Sequence, residues 1–166
     1  GRHNVANALS ACACASGLGA SLNDMQLGMQ TFHTVAGRMQ SILGQNGSRI
    51  IDYTYNANPG AVRVAIDVLV AQSHQGTLVL GDMGELGPKA AELHRELGLY
   101  AKQSGVVRLV TVGVLTAETS SAFGDGAHHF AIQEKAIEYL RGSVMSGDVV
   151  LVKGSRSAQM ENVVNA

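Results

Sequence analysis

After residue 48 the chain alternates strand-length apolar runs with helix-length stretches, and few folds accommodate that order. Strands are expected at 49–53, 77–80, 108–112, 128–130 and 148–152, and helices after Pro59, from about Pro88, briefly after 112, over 133–142 and from Ser155. A strand that returns to a parallel neighbour needs a right-handed crossover, and successive crossovers cover the faces of the sheet with helices. The expected fold class is therefore α/β: a doubly wound, mainly parallel, Rossmann-like sheet. Pro59 and Pro88 suit first-turn positions, where a missing N–H breaks no helical bond.

Upstream the pattern differs. Asn4 is the expected N-cap of a helix through about Ser16, with Gly17 and Gly19 as its stop, and Ser21 followed by Asp24 forms a capping box for a second helix. Period-two alternation over 39–43, then Gln45-Asn46-Gly47, then Ile50 and Ile51, reads as an N-terminal antiparallel edge hairpin around an Asn-Gly turn. The domain boundary is accordingly expected near residue 38. Residues 1–38 would be two helices of a truncated domain, and 39–166 the doubly wound domain. Gly1-Arg2-His3-Asn4 enters the first helix without an initiating Met, which reads as the start of a fragment.

Composition narrows the function. With 46% hydrophobic and 15% charged residues the chain can bury a core. A net charge of -1 from 12 basic and 13 acidic residues, without any Lys/Arg run, gives a nucleic acid nothing to bind. Apolar runs of strand length and the lack of a leader predict a cytoplasmic protein without a membrane segment. Cys12 and Cys14 stand two apart in a helix and so face different ways, and no zinc pattern or Gly-x-Ser-x-Gly elbow occurs. No metal site is expected in this stretch.

Ligands of open parallel sheets bind outside the carboxyl ends of the strands, so the loops after strands carry the chemistry. Three are unusual: Asp52-Tyr53-Thr54-Tyr55-Asn56-Ala57-Asn58-Pro59, Gly81-Asp82-Met83-Gly84-Glu85-Leu86-Gly87, and Lys153-Gly154-Ser155-Arg156-Ser157. The third puts two cations and two hydroxyls at an expected helix N-terminus, where free N–H groups and the dipole favour an anion. Each loop also has a plainer reading as helix cap, connector or solvated charge. His94 is expected near this rim as a surface histidine. His128 and His129, adjacent on a strand, face opposite ways and cannot chelate together.

In order along the chain, Gly1-x-His3-Asn4-x-x-Asn7-Ala8-Leu9, Gly37-Arg38, Asp52-x-Thr54-Tyr55-Asn56-Ala57-Asn58-Pro59, Gly81-Asp82-Met83-x-Glu85-Leu86-Gly87 and Val152-Lys153-Gly154-Ser155-Arg156-Ser157 resemble the Mur ligase family. The resemblance covers nearly the whole chain. It implies a three-domain, ATP- and Mg2+-dependent amide ligase of peptidoglycan precursor synthesis, in the branch that adds D-alanyl-D-alanine to UDP-N-acetylmuramoyl-tripeptide through an acyl phosphate. This chain would hold the last helices of the central ATPase domain and the whole C-terminal domain. The phosphate-binding loop and metal ligands would lie upstream, leaving the fragment inactive alone.

Residue by residue, the resemblance implies Asn4 and Asn7 beside the adenine and Arg38 at the ATP phosphates, as the catalytic cation of the junction. It places Asn56 at the nucleotide-facing end of the first parallel strand. Tyr53 stands where many relatives have a ribose-binding Asp, so Asp52 or the Tyr53 hydroxyl takes that contact. Lys153, Ser155 and Arg156 would meet the carboxylate of the incoming dipeptide, Arg156 ahead of Lys153, which either adds charge or neutralises Asp82. Asp82, Glu85 and His94 are implied only to be near. The domain would rotate about Gly37-Arg38, as a monomer without nucleic acid or membrane partners. The competing expectations are another ligase of the superfamily, such as folylpolyglutamate synthase, and a non-catalytic α/β module binding a nucleotide or peptide.

Overall fold

The computed structural model describes the backbone of residues 2–33 and 35–166 and the side chains of 5–33 and 35–166. It divides into two compact units, residues 1–34 and residues 35–166. The first holds helices α1 (Arg2–Gly17) and α2 (Leu22–Gln30). The capping box at α2 forms as expected: the Asp24 N–H donates to Ser21 Oγ at 3.2 Å, and the Ser21 N–H donates to Asp24 Oδ2 at 2.9 Å. The expectation for Asn4 is corrected. An N-cap needs an extended backbone, and Asn4 is already inside α1. The side chain of Asn4 lies outside the described ones.

The second unit is a six-stranded sheet in the order β1-β2-β6-β3-β4-β5. Its strands are β1 (Gln40–Leu43), β2 (Arg49–Tyr53), β3 (Thr77–Gly81), β4 (Arg108–Val112), β5 (Ala127–Phe130) and β6 (Val149–Lys153). Only β1 runs antiparallel, with Gln40 opposite Asp52 and Leu43 opposite Arg49. The hairpin turns at Asn46 (φ 57°) and Gly47 (φ 77°), the two residue types that tolerate left-handed backbone best. Strands β3 and β6 are buried at every position, which is why they read as continuous apolar runs.

Helices α3 (Pro59–Gln72), α4 (Ala90–Ser104) and α5 (Thr116–Phe123) follow β2, β3 and β4. The chain advances in one direction from β2 to β5, so right-handed crossovers put all three on one face. Helix α6 (Gln133–Ser143) returns the chain to β6 over the opposite face, where the short α7 (Glu161–Val164) joins it. The strand pleat divides the core to match. Leu78, Leu80, Leu109 and Leu151 pack with Val62, Ile66, Leu69 and Leu97, whereas Val79, Val110, Val150 and Val152 pack with Ala136, Leu140, Met160 and Val163. At the crossing of α4 and α5 a Cβ on Gly98 would run into the carbonyl oxygen of Thr119.

Two further expectations change. No helix starts at Ser155. Residues Arg156–Ala158 make a single 3-10 turn, Gln159 turns left-handed at φ 47°, and α7 has only four residues. The units also part between residues 34 and 35, so Gly37 and Arg38 belong to the second. Two hydrogen bonds fasten them there: the Gly37 N–H to Asp52 Oδ2 and the Tyr55 N–H to the Gly37 carbonyl, each at 3.0 Å.

Candidate functional site

The carboxyl ends of the parallel strands collect the three singled-out loops on one rim, tied together by buried polar contacts. At the end of β2, Asp52 is buried. Its Oδ1 accepts the Thr54 N–H at 3.1 Å and the Thr54 hydroxyl at 2.7 Å, while Oδ2 accepts from Gly37. The carboxylate thus organises its own loop, and the expectation that it faces a ribose is corrected, because both oxygens point at main-chain donors of this chain. Asn58 caps α3 by accepting the Ala61 N–H at 2.8 Å, with Pro59 following at the first helical position. Asn56 is exposed, with its Oδ1 accepting the Ala57 N–H at 2.8 Å.

Lys153, closing β6, is 1% exposed. In the β2–β6 register it lies opposite Tyr53, and its Nζ sits 3.5 Å from the centre of the Tyr53 ring. The ammonium donates to the Asn56 carbonyl at 2.7 Å and approaches the Tyr53 carbonyl at 3.5 Å. Burial pulls its pKa down from 10.5 to about 8. Lys153 therefore neither reaches out to a dipeptide nor neutralises Asp82; it holds the β2 loop from beneath.

Asp82 joins the other loops. Its carboxylate accepts the N–H groups of Val114 (2.9 Å) and Leu115 (3.2 Å) on Oδ2 and of Thr116 (2.8 Å) on Oδ1, capping α5 from a different loop. Its carbonyl accepts both the N–H and the hydroxyl of Ser155, at 3.0 and 2.6 Å. The N–H of Ser155 is therefore not free for an anion, which corrects the helix-terminus expectation for this loop. His94 is fully buried and not a surface residue: the Met83 N–H donates to its Nε2 at 3.1 Å, and its Nδ1 lies 2.7 Å from the Ala90 carbonyl. A ring protonated at Nδ1 satisfies both contacts. It pins the glycine loop to the helix that follows.

Two cations of the rim remain exposed. Arg156 pairs with Glu161, 2.8 Å from Nη1 to Oε1, and Arg38 lies over the Tyr55 ring at 3.9 Å. Asn7 is exposed on α1, within the first unit. An open crevice of about 490 Å³, lined by Asp82, Gly113, Gln133, Ser157 and Gln159 among others, lies at the ends of β3, β4, β5 and β6. Among the described residues no three His, Cys, Asp or Glu side chains converge to hold a metal ion. The sequence singled out the loops but not the hub role of Asp82 or the stacking of Tyr55, since both depend on residues more than fifteen positions away in the chain. The signal available for them was an aromatic side chain, Tyr55, and an acidic one, Asp82, inside strand-following loops.

Residues 37–156 match the family model described as Mur ligase, glutamate ligase domain. The UDP-N-acetylmuramoyl-tripeptide--D-alanyl-D-alanine ligase of Escherichia coli is 39% identical over 168 residues, and that of Bacillus subtilis 29% over 171. These alignments take in 100% and 99% of this chain but 37% of each relative, so the chain spans little more than a third of their length. Among solved structures, MurF from Acinetobacter baumannii superposes with a TM-score of 0.91 at 32% identity, covering 99% of this chain and 37% of that one. MurF from Thermotoga maritima, crystallised with ADP, superposes at 0.77 with 27% identity, covering 92% and 35%.

Proposed function

Since the chain belongs to the Mur ligase family, we propose that it forms the C-terminal part of an ATP-dependent ligase joining D-alanyl-D-alanine to UDP-N-acetylmuramoyl-tripeptide in peptidoglycan precursor synthesis. The observation that carries this reading is the 39% identity across the whole chain to a ligase of that name. In such a reaction ATP supplies the phosphoryl group that converts the tripeptide carboxylate into an acyl phosphate. The dipeptide amine attacks its carbonyl carbon, phosphate leaves, and the amine proton is lost to the surroundings.

This chain's residues contribute positioning and charge, which carry most of the catalysis in phosphoryl transfer. Arg38 suits the nucleotide phosphates: its guanidinium is exposed and stacked by one face, so the N–H donors around its edge remain available. Asn56 presents an amide at the same end of β2, and Asn4 and Asn7 are assigned to the adenine. Arg156 is assigned to the dipeptide carboxylate, sharing its charge with Glu161. Lys153 and Ser155 shape the loops that carry these groups. No residue here is assigned to Mg2+, for which the described residues offer no acidic cluster.

We place helices α1 and α2 with the central ATPase domain, and the enzyme in the cytoplasm as a monomer; no helix among the described residues is long and apolar enough to cross a membrane. The 166-residue chain by itself is expected not to turn over ATP. The full-length ligase, supplied with ATP, Mg2+ and UDP-N-acetylmuramoyl-tripeptide, is expected to release ADP in proportion to added D-alanyl-D-alanine. Release that follows added glutamate on a folate acceptor, and ignores the dipeptide, would refute this assignment in favour of a folylpolyglutamate synthase.

A further inference from the structure

We propose that Tyr55 is the positioning residue for Arg38, and that the Asp52–Gly37 contact is the frame in which it acts. The inference rests on the phosphate role assigned to Arg38 above and adds what holds that cation in place. A free arginine side chain loses rotamer freedom when it engages a ligand. Here that freedom is already reduced. The guanidinium carbon lies 3.9 Å from the centre of the Tyr55 ring. Stacking of this kind occupies a face of the planar group and leaves its in-plane donors free to make a paired contact to phosphate oxygens.

The backbone beneath shows that the stack is built and not incidental. Gly37 takes φ 73°, and a Cβ there would come within 2.9 Å of the Tyr55 nitrogen, so no other residue fits without moving the loop. Its N–H is held by the buried Asp52 carboxylate and its carbonyl by the Tyr55 N–H, each at 3.0 Å. Thr54 orients that carboxylate through two further hydrogen bonds at 2.7 and 3.1 Å. The place of Arg38 is thereby set by the end of β2. Tyr55 is still 49% exposed, far more than a residue kept for core packing. Rotation of this unit about Gly37-Arg38 would break both hydrogen bonds, so Arg38 travels with β2 and any hinge lies upstream of Gly37.

The test is single-turnover acyl-phosphate formation by the full-length ligase, read as ADP released on mixing with ATP and tripeptide, for Tyr55→Phe, Tyr55→Leu, Arg38→Ala and the double variant Arg38→Ala/Tyr55→Leu. Tyr55→Leu is expected to slow the step about three- to ten-fold, the size of a lost cation–π contact at a partly exposed site. Tyr55→Phe, which keeps the ring, is expected within about two-fold of the parent, and Tyr55→Leu is expected to add nothing once Arg38 is gone. In the same proteins, NMR of labelled arginine should show the Arg38 side-chain protons shifted upfield by the ring in the parent and Tyr55→Phe, and not in Tyr55→Leu. An unchanged rate for Arg38→Ala overturns the phosphate role and this inference with it. A slow Arg38→Ala beside a Tyr55→Leu at parental rate overturns the inference alone. So does a Tyr55→Phe as slow as Tyr55→Leu, because the hydroxyl would then be the working group.

Discussion

Replacing Lys153 with methionine should stabilise the second unit at neutral pH and lose that advantage in alkali. The side chain is buried at the end of β6, with one carbonyl at 2.7 Å and the face of Tyr53 as its nearest compensation, and among the described residues no carboxylate is bonded to it. Its pKa falls from 10.5 to about 8, and burial is the cause. Between those two values the unfolded chain keeps a proton that the folded chain has released. Stability therefore rises with pH across that window, and below about pH 8 the whole cost of burying the charge is present. At about 1.4 kcal/mol for each tenfold change in proton affinity, that cost is ~3 kcal/mol. Methionine fills similar volume without the charge but forfeits the bond to the Asn56 carbonyl, worth about 1 kcal/mol to a neutral donor. The variant should thus be ~2 kcal/mol more stable than the parent at pH 7 and no more stable near pH 10.5. Urea unfolding followed by far-ultraviolet circular dichroism at several pH values between 7 and 10.5 measures this, and taking the difference between the two proteins cancels every other titrating group. A difference that stays constant with pH, or a variant less stable at pH 7, would show that the ammonium is well accommodated and the reasoning wrong.

Gly98→Ala should destabilise the second unit by about 2–3 kcal/mol, since the obstacle is the backbone carbonyl of Thr119 and α5 must shift to admit a methyl group; an unchanged urea midpoint would mean the two helices are not in such close contact. Asp82→Ala removes the acceptor for three N–H groups at the start of α5 and should cost about 2–3 kcal/mol. Hydrogen exchange at Val114, Leu115 and Thr116 should accelerate beyond the rest of the sheet, and uniform exchange would argue against a hub at Asp82. In the full-length ligase, Arg156→Ala should raise the apparent KM for D-alanyl-D-alanine ten-fold or more, as loss of a charged hydrogen bond does, with that for ATP nearly unchanged. The fold should barely notice, because an exposed pair such as Arg156 with Glu161 contributes under about 1 kcal/mol. A rise in the ATP constant instead would hand this loop to the nucleotide.

The elements were legible in the amino-acid order because their causes are local. Apolar runs at 77–80 and 148–152 mark strands to within a residue of β3 and β6, the Ser21–Asp24 box opens α2, and Asn58-Pro59 opens α3. These depend on hydrogen bonds and side-chain periods that span three or four positions. Right-handed crossovers then made the doubly wound sheet and its functional rim predictable, and the ordered motifs pointed to the family. Tertiary structure alone decided how the polar side chains of that rim are used. That β6 inserts between β2 and β3 places Lys153 beside Tyr53, about a hundred residues away, and buries it. His94 turns inward because the glycine loop offers it the Met83 N–H, and Asp82 caps a helix thirty-odd positions on. A buried charge or imidazole takes whichever partner the fold brings within hydrogen-bonding distance, and that partner is set by strand order and loop closure, to which local sequence is blind.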